Sequence, residues 1–292
     1  MIFREVTLED LQQYSTFIRN HYIEVSDLSP TSLYIWRNSY RVKMALTPDY
    51  AVLLCSYRGA TYCLPPLFND QIDLTTLINK ITAFFHQINK PVIFRAIPPA
   101  MLQSFPKDKY RIMADRKIWD YLYRTQDLIE LRGRKYQQKR NHINRFCQFY
   151  RFSYQSLSPQ DHQGCLNVFN QWAAEREGSQ EVEEERTALT EALHNFSTLH
   201  LKGGVLKVEG EIQAFSIGSK LNKDTALIHF EKANSEFSGI YSVINQSFVA
   251  NEWSETKYIN REDDMGIPGL RQAKERYYPR RMIEKYVVVE GY

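Results

Sequence analysis

Three apolar runs separated by very short polar breaks constrain this chain more than any other feature. The runs are 204–208, 212–220 and 225–232, and the breaks are Glu209-Gly210 and Asn222-Lys223-Asp224. A break of two or three residues cannot return a chain to a parallel partner, because a parallel crossover takes a dozen residues or more, so the runs predict an antiparallel meander. A strand at 151–157 and helices at 159–175 and 181–196 are expected before it. After it come a helix at 238–253, a strand at 257–260, a helix at 268–278 and a last strand at 282–289. That order predicts a mixed, mainly antiparallel sheet flanked by helices, an α/β fold of the α+β kind.

The first half alternates in the same way. Thr7 can cap a helix at 7–24 whose Leu8, Leu11, Tyr14, Phe17 and Ile18 share one face. Strands are expected at 41–46, 50–55 and 60–64, where Pro65-Pro66 stops them, followed by a helix at 73–88, a strand at 92–97 and a short helix after Pro98-Pro99. A chain of 292 residues is close to twice the usual domain length of about 150. The expected division is a domain at 1–130, a basic linking helix at 131–149, and a domain at 150–292 with the active cleft. The linking helix carries Arg132, Arg134, Lys135, Lys139, Arg140 and Arg145 between Leu131, Tyr136, Ile143 and Phe146.

Bulk charge says little about partners. The net charge of +3 averages the basic helix against an acidic stretch, Glu175, Glu177, Glu181, Glu183, Glu184, Glu185 and Glu191, which is expected to offset it within the fold. The four cysteines, Cys55, Cys63, Cys147 and Cys165, are scattered and read as small hydrophobes in a reducing compartment. The start carries no signal-like stretch, and the apolar runs fall far short of the ~20 residues that span a bilayer. A cytoplasmic protein without a transmembrane segment is expected, with peripheral contact at the inner face of the membrane left open. Tyr 19 and Phe 16 outnumber Gly 12, so large rings are expected in the cores and in the walls of a cleft.

Several chemistries lose their ground because their motifs are missing. There is no Gly-x-x-x-x-Gly-Lys loop, Gly-x-Gly-x-x-Gly turn, His-Glu-x-x-His pair or Gly-x-Ser-x-Gly elbow. Group transfer without a metal or a tightly bound cofactor is the expectation. The densest polar cluster runs from Tyr258 to Pro279 and contains Asn260, Arg261, Glu262, Asp263, Asp264, Arg271 and Lys274. A strand end and a helix start that present acids, arginines and a lysine can bind an anion or exchange protons. The same groups also suit caps and surface ion pairs. On the third run, alternation sends His229 and Glu231 to one face, where either can act as a base or orient an amine, or form a structural pair. The basic helix, through Lys135, Lys139 and Arg140, can hold phosphates of nucleic acid, coenzyme A or lipid, or present a solvated face.

At this cluster the sequence resembles a known family. The segment Gly269-Leu270-Arg271-Gln272-Ala273-Lys274-Glu275-Arg276-Tyr277-Tyr278-Pro279, preceded by Tyr258-Ile259-Asn260-Arg261-Glu262-Asp263-Asp264-Met265-Gly266, resembles the closing motif of the C-terminal domain of phosphatidylglycerol lysyltransferases. It is still more similar to stand-alone bacterial proteins of unknown function grouped with that domain. Arg134-Lys135-Tyr136-Gln137-Gln138-Lys139-Arg140-Asn141-His142-Ile143-Asn144-Arg145-Phe146 resembles that family's linking helix.

The resemblance implies two tandem domains with the fold of the Gcn5-related N-acetyltransferases (GNAT). It also implies transfer of an aminoacyl group from aminoacyl-tRNA, or of an acyl group from acyl-coenzyme A, to an amine or hydroxyl. The acceptor would be a small molecule, a peptide or a lipid. By matching position, Arg271 and Lys274 would lie near the charged donor end, supported by Asn260, Arg261, Glu262 and Asp264. Glu231 and His229 would lie on the strand that carries the acid/base group.

Two departures shape the expectation. Where the fold has a glycine-rich loop for the coenzyme A pyrophosphate, this chain reads Glu236-Phe237-Ser238-Gly239-Ile240-Tyr241, with one glycine and a repelling carboxylate. That makes acetyl-coenzyme A the less expected donor. The chain is also expected to lack the membrane-spanning module of the lysyltransferases, which weakens lipid as acceptor. The rival readings are a non-catalytic module on the same fold that binds tRNA or anionic lipid, and an acyl-coenzyme A-dependent N-acetyltransferase.

Overall fold

The computed structural model describes residues 1–20, 23–174, 176 and 178–291. The chain forms two compact units, and neither is a single stretch of sequence. The first comprises Met1–Asp120, Asp263–Arg271 and Met282–Tyr292, the second Tyr121–Glu262 and Gln272–Arg281. The boundaries expected at 130/131 and 149/150 therefore differ from those of the units, and the basic segment 131–149 lies wholly in the second.

In chain order the first half contains β1 (Arg4–Glu5), α1 (Leu8–Asn20), α2 (Pro30–Ile35), β2 (Lys43–Leu46), β3 (Tyr50–Tyr57), β4 (Ala60–Cys63) and β5 (Leu67–Phe68). Then come α3 (Leu74–Gln87), β6 (Ile93–Ile97), β7 (Tyr110–Ala114), β8 (Asp120–Arg124), α4 (Thr125–Glu130) and α5 (Gln137–Phe149). The second half has β9 (Phe152–Ser156), α6 (His162–Ala174), α7 (Gln180–His194), β10 (Lys202–Val208), β11 (Glu211–Lys220) and β12 (Thr225–Ala233). It closes with α8 (Ile240–Glu252), β13 (Tyr258–Asn260), α9 (Pro268–Glu275), β14 (Arg281–Ile283) and β15 (Tyr286–Glu290).

The first unit is built on a sheet ordered β1-β2-β3-β4-β6-β15-β7, with β5 paired to β3. β4 and β6 run parallel and the other pairs antiparallel. α3 forms where Asp73 caps it, its carboxylate accepting the Thr76 N–H at 2.7 Å, and it buries Leu77, Ile78, Ile81 and Phe85 against Val52, Phe94, Ile97 and Val288. Phe94, Phe105 and Tyr110 meet edge to face, so these rings serve the core.

The last strand, expected at 282–289, is two strands. β14 ends at Ile283, and β15 pairs with β6 and β7 in the first unit's sheet. The interruption falls at Glu284-Lys285, where the Lys285 side chain is fully buried among carboxylates.

The second sheet is ordered β14-β8-β13-β12-β11-β10-β9. The expected meander is present as β10, β11 and β12, all antiparallel, and β13 returns parallel to β12 through α8. The basic helix starts later than expected. Leu131 (φ 49°) and Gly133 (φ 90°) are left-handed and end α4, a 3-10 turn follows at Arg134–Tyr136, and only then does α5 begin. Phe146 of α5 is fully buried against Ile240, Val243 and Ile244 of α8. Gly239, at φ 94°, lies so close to the His142 carbonyl that a Cβ there would overlap it. On the acidic stretch, Glu183 pairs with Arg186 and Glu185 with Lys232 on β12. Glu175 and Glu177 lie outside the described residues.

Candidate functional site

The parallel pairing of β12 and β13 ends at Leu227↔Asn260, while β12 itself continues to Ala233. β13 itself ends there, and Glu231 lies on the part of β12 that continues past it. Its Oε1 accepts from Arg261 Nη2 at 2.8 Å and its Oε2 from Asn245 Nδ2 of α8 at 3.0 Å. The pair is secluded, with 13% of the Arg261 side chain and 11% of that of Glu231 exposed. Burial alone works against the guanidinium charge, yet the Glu231 carboxylate and the Tyr123 and Tyr277 hydroxyls outweigh it and hold Arg261 above its ordinary pKa.

Aromatic and lysine side chains surround this pair. The Arg261 guanidinium carbon lies 5.0 Å from the Tyr277 ring centroid and 5.9 Å from that of Tyr123. The Lys139 ammonium sits 3.8 Å from the same Tyr277 centroid. Burial, with the Arg261 charge second, pushes Lys139 down to about 8. Lys274, buried, donates from Nζ to the Arg261 carbonyl at 2.6 Å, and its own carbonyl accepts from the Tyr123 hydroxyl at 2.8 Å. Tyr136 in turn donates to the Tyr277 carbonyl at 3.0 Å. The start of the basic segment and the end of the closing motif are thus tied together inside one unit.

The structure sorts the sequence-predicted residues into four groups. Glu231, Arg261, Lys274 and Lys139 converge as described. His229, with its side chain fully buried, bonds Ser219 through Nε2 at 2.8 Å and has Nδ1 3.5 Å from Glu262 Oε1, and the Asn260 side chain accepts the Glu262 N–H at 2.7 Å to shape the turn. Asp264 and Arg271 belong to the first unit, where the fully buried Asp264 carboxylate takes Arg271 through Nε at 2.8 Å and Nη2 at 3.0 Å, and also Arg116 at 3.2 Å. Arg271 is thus engaged by a carboxylate in its own unit. Lys135 lies over the rings of Tyr136 and Tyr278, and Arg140 donates to the carbonyls of Leu131 and Gly133, closing the left-handed turn.

Two features escape sequence reasoning. Asn245 has one available signal, a polar residue inside the buried run 242–245 of α8. The other is Lys285, fully buried in the first unit, with Nζ 2.7 Å from Asp120 and 2.6 Å from Asp27. Burial opposes its charge, but the carboxylates of Asp120, Asp27 and Asp263 hold its pKa well above the ordinary value. Among the described residues no group of His, Cys, Asp and Glu is placed to hold a metal ion, and no helix is long and apolar enough to cross a membrane.

Two mixed sheets flanked by helices, each with a parallel strand pair, are consistent with a tandem GNAT-like protein. A tandem GNAT protein from the clavulanic acid biosynthesis pathway shares this fold, with a TM-score of 0.52 at 10% identity over 99% of this chain and 98% of that one. Within that class the chain belongs to the family described as phosphatidylglycerol lysyltransferase, C-terminal, whose model matches residues 21–289.

The solved structure of L-PGS from Bacillus licheniformis superposes with a TM-score of 0.71 at 15% identity, covering 99% of this chain and 93% of that one. A conserved protein of unknown function from Bacteroides thetaiotaomicron is 33% identical, with a TM-score of 0.93 and full coverage of both chains. An uncharacterized protein of Mycoplasmoides gallisepticum is 24% identical over 185 residues, 62% of this chain, and the match spans 60% of that relative's length.

Proposed function

We propose that the chain is a transferase that moves an aminoacyl group, carried as an ester on tRNA, to an amine or hydroxyl of a small molecule, peptide or lipid. Its family and fold relatives support a transferase in general terms. The observation that carries the finer reading is the Glu231–Arg261 pair beside the end of β13, with Lys139, lowered to about 8, near it.

In aminoacyl transfer the acceptor nitrogen or oxygen attacks the ester carbonyl, the ribose oxygen leaves, and a proton passes from acceptor to leaving group. The protein needs to position the partners, offer positive charge to the developing oxyanion and relay that proton. Arg261, held by Glu231 and stacked on Tyr277, supplies fixed positive charge. Lys139, lowered to about 8, is the side chain best matched to take and return a proton near neutral pH. Lys274 acts on the Arg261 carbonyl and so positions the turn that carries the guanidinium.

The preference for charged tRNA over acyl-coenzyme A rests on Gly239. In the fold this chain resembles, the loop before the helix corresponding to α8 holds the coenzyme A pyrophosphate. Here the His142 carbonyl and the Phe146 side chain of α5 pack on Gly239, and Glu236 adds negative charge to the same loop. Arg134 and Lys135 are exposed at the start of the basic segment and suit a nucleic-acid backbone. The test is transfer of radiolabelled amino acids from a charged tRNA pool to acceptors in a cell extract. Glu231→Gln and Lys274→Ala are each expected to reduce it at least tenfold, and unchanged transfer in both would place the chemistry elsewhere.

A further inference from the structure

A cavity of about 400 Å³ lies in the second unit, lined by α6 and the β10–β11 hairpin and by none of the residues around Glu231 and Arg261. That volume is at the small end of the roughly 300–1,000 Å³ of ligand pockets. Two of its lining residues meet closely, since a Cβ on Gly164 of α6 would overlap the Ile212 side chain. The hairpin is irregular here. Lys207 pairs with Ile212 and Leu206 with Ala214, which leaves Gln213 as an extra residue on β11. Bulges of this kind re-aim side chains and are common beside binding sites.

Hydrogen bonds decide what the cavity offers. The Glu236 N–H donates to Asn234 Oδ1 at 3.0 Å, which leaves Asn234 Nδ2 to donate to Gln213 Oε1 at 3.1 Å. The oxygen of the Gln213 amide is therefore taken, and Nε2 is left as a donor. Gln163 likewise donates to Asn167 Oδ1 at 3.0 Å, which leaves Asn167 Nδ2. The buried Asp161 carboxylate is occupied by Ser158, Gln155 and Lys207. Lys207, with 25% of its side chain exposed, adds an ammonium to the lining, and the exposed Glu211 adds a carboxylate. Lys207, Asp161 and Glu211 together leave one negative charge in excess.

We propose that this cavity binds one ring of a neutral sugar, whose hydroxyls accept from Gln213 Nε2, Asn167 Nδ2 and Lys207 Nζ and donate to the Glu211 carboxylate. A hydroxyl is donor and acceptor at once, which matches a lining of leftover amide donors and one carboxylate. Ile212 and Val168 offer apolar surface to the C–H groups of the ring. An anionic ligand meets the excess negative charge, and an apolar one leaves the donors without partners. A free sugar and the end residue of a glycan present the same hydroxyls.

The probes are D-glucose, D-galactose and N-acetyl-D-glucosamine, each titrated into the full chain and followed by NMR at the side-chain amides and the Ile212 methyl groups. Cyclohexanemethanol, a ring of similar size without the set of hydroxyls, and D-glucuronate, which carries a carboxylate, are the controls. At least one of the sugars is expected to shift the cavity resonances saturably and to bind about tenfold or more tightly than either control. Gln213→Leu and Asn167→Leu are each expected to weaken that binding about tenfold. Gln213→Leu also removes the contact with Asn234, so Asn167→Leu, at an exposed position, is the variant that spares the fold, with circular dichroism as the check. A methyl glycoside that binds as well as the free sugar marks a glycan end, and one that does not marks a free sugar; both sustain the site. No saturable shift from any of the sugars overturns it, whatever the protein transfers. So does equal binding of cyclohexanemethanol, or an affinity unchanged in both variants.

Discussion

Replacing Arg261 by Met isolates the electrostatic centre of the site. The substitution keeps an apolar stem for the Tyr277 and Tyr123 rings and removes the cation 2.8 Å from Glu231 Oε1. Breaking a buried pair by removing one partner costs roughly 3–5 kcal/mol when the remaining charge is left alone. Here Glu231 keeps the Asn245 N–H at 3.0 Å and 11% of its side chain is exposed, which brings the expected loss to about 2–4 kcal/mol. Adding Glu231→Gln removes the stranded charge, so the double variant should recover about half of that loss, and the coupling is then about 1–2 kcal/mol plus whatever Glu231→Gln costs alone.

The chain has two units, so a global unfolding midpoint would mix them. Hydrogen exchange of amides in β12 and α8 reads the second unit by itself. Protection there should fall by roughly 30-fold or more in Arg261→Met and return in part in the double variant. A coupling below about 0.5 kcal/mol would show the pair to be solvent-screened, of the kind found on surfaces, and would refute the description of the site as a secluded charge centre.

Other outcomes follow from the same geometry. Lys139 is lowered to about 8 from an ordinary 10.5, so the unfolded chain binds more protons between those values and stability should rise with pH across about 8 to 10.5. Lys139→Met should abolish that rise and, after discounting for partial exposure, stabilise the second unit by about 1–2 kcal/mol at pH 7, measured by hydrogen exchange. Transfer should increase as pH rises through about 8, as neutral Lys139 accumulates. Lys285→Met should destabilise the first unit by about 3–5 kcal/mol by stranding Asp120. In the parent chain the raised Lys285 contributes stability that is complete below its unfolded value near 10.5 and persists well above it. Gly239→Ala should cost about 1–3 kcal/mol, because φ is 94° and the new Cβ would meet the His142 carbonyl, and exchange should rise first where α5 packs on α8.

The parts of the fold legible in the sequence are those set by neighbours along the chain. The meander β10-β11-β12 follows from its short breaks, and α3 from Asp73 and its apolar spacing, because turns and caps are local. The destination of the last strand was not legible. Val287-Val288-Val289 reads as a strand, but nothing in it tells whether its partners lie nearby or at Ile93 and Arg111, where β15 pairs. Short β7 and β8 escaped because a five-residue segment carries little periodic signal.

The site shows the same division. Alternation predicts His229 and Glu231 on one face of β12, but the β11–β12 register shifts at His229 and breaks that alternation, and the partners of Glu231 come from Asn245, 14 residues on, and Arg261, 30 residues on. Arg271 and Lys274 are one helical turn apart in sequence, yet Arg271 joins Asp264 in the first unit and Lys274 joins Arg261 in the second. Helical spacing alone does not reveal that division.

The most direct test of the central claim compares donors on the unaltered protein. Charged tRNA and acetyl-coenzyme A are offered separately, at equal concentration, with a cell extract as the source of acceptors, and labelled product is counted over time. The account predicts product from charged tRNA that weakens steeply with added salt and falls at least about tenfold in Glu231→Gln, which releases the Arg261 charge from its brace, with little or none from acetyl-coenzyme A. Product formed from acetyl-coenzyme A, and none from charged tRNA, would contradict it.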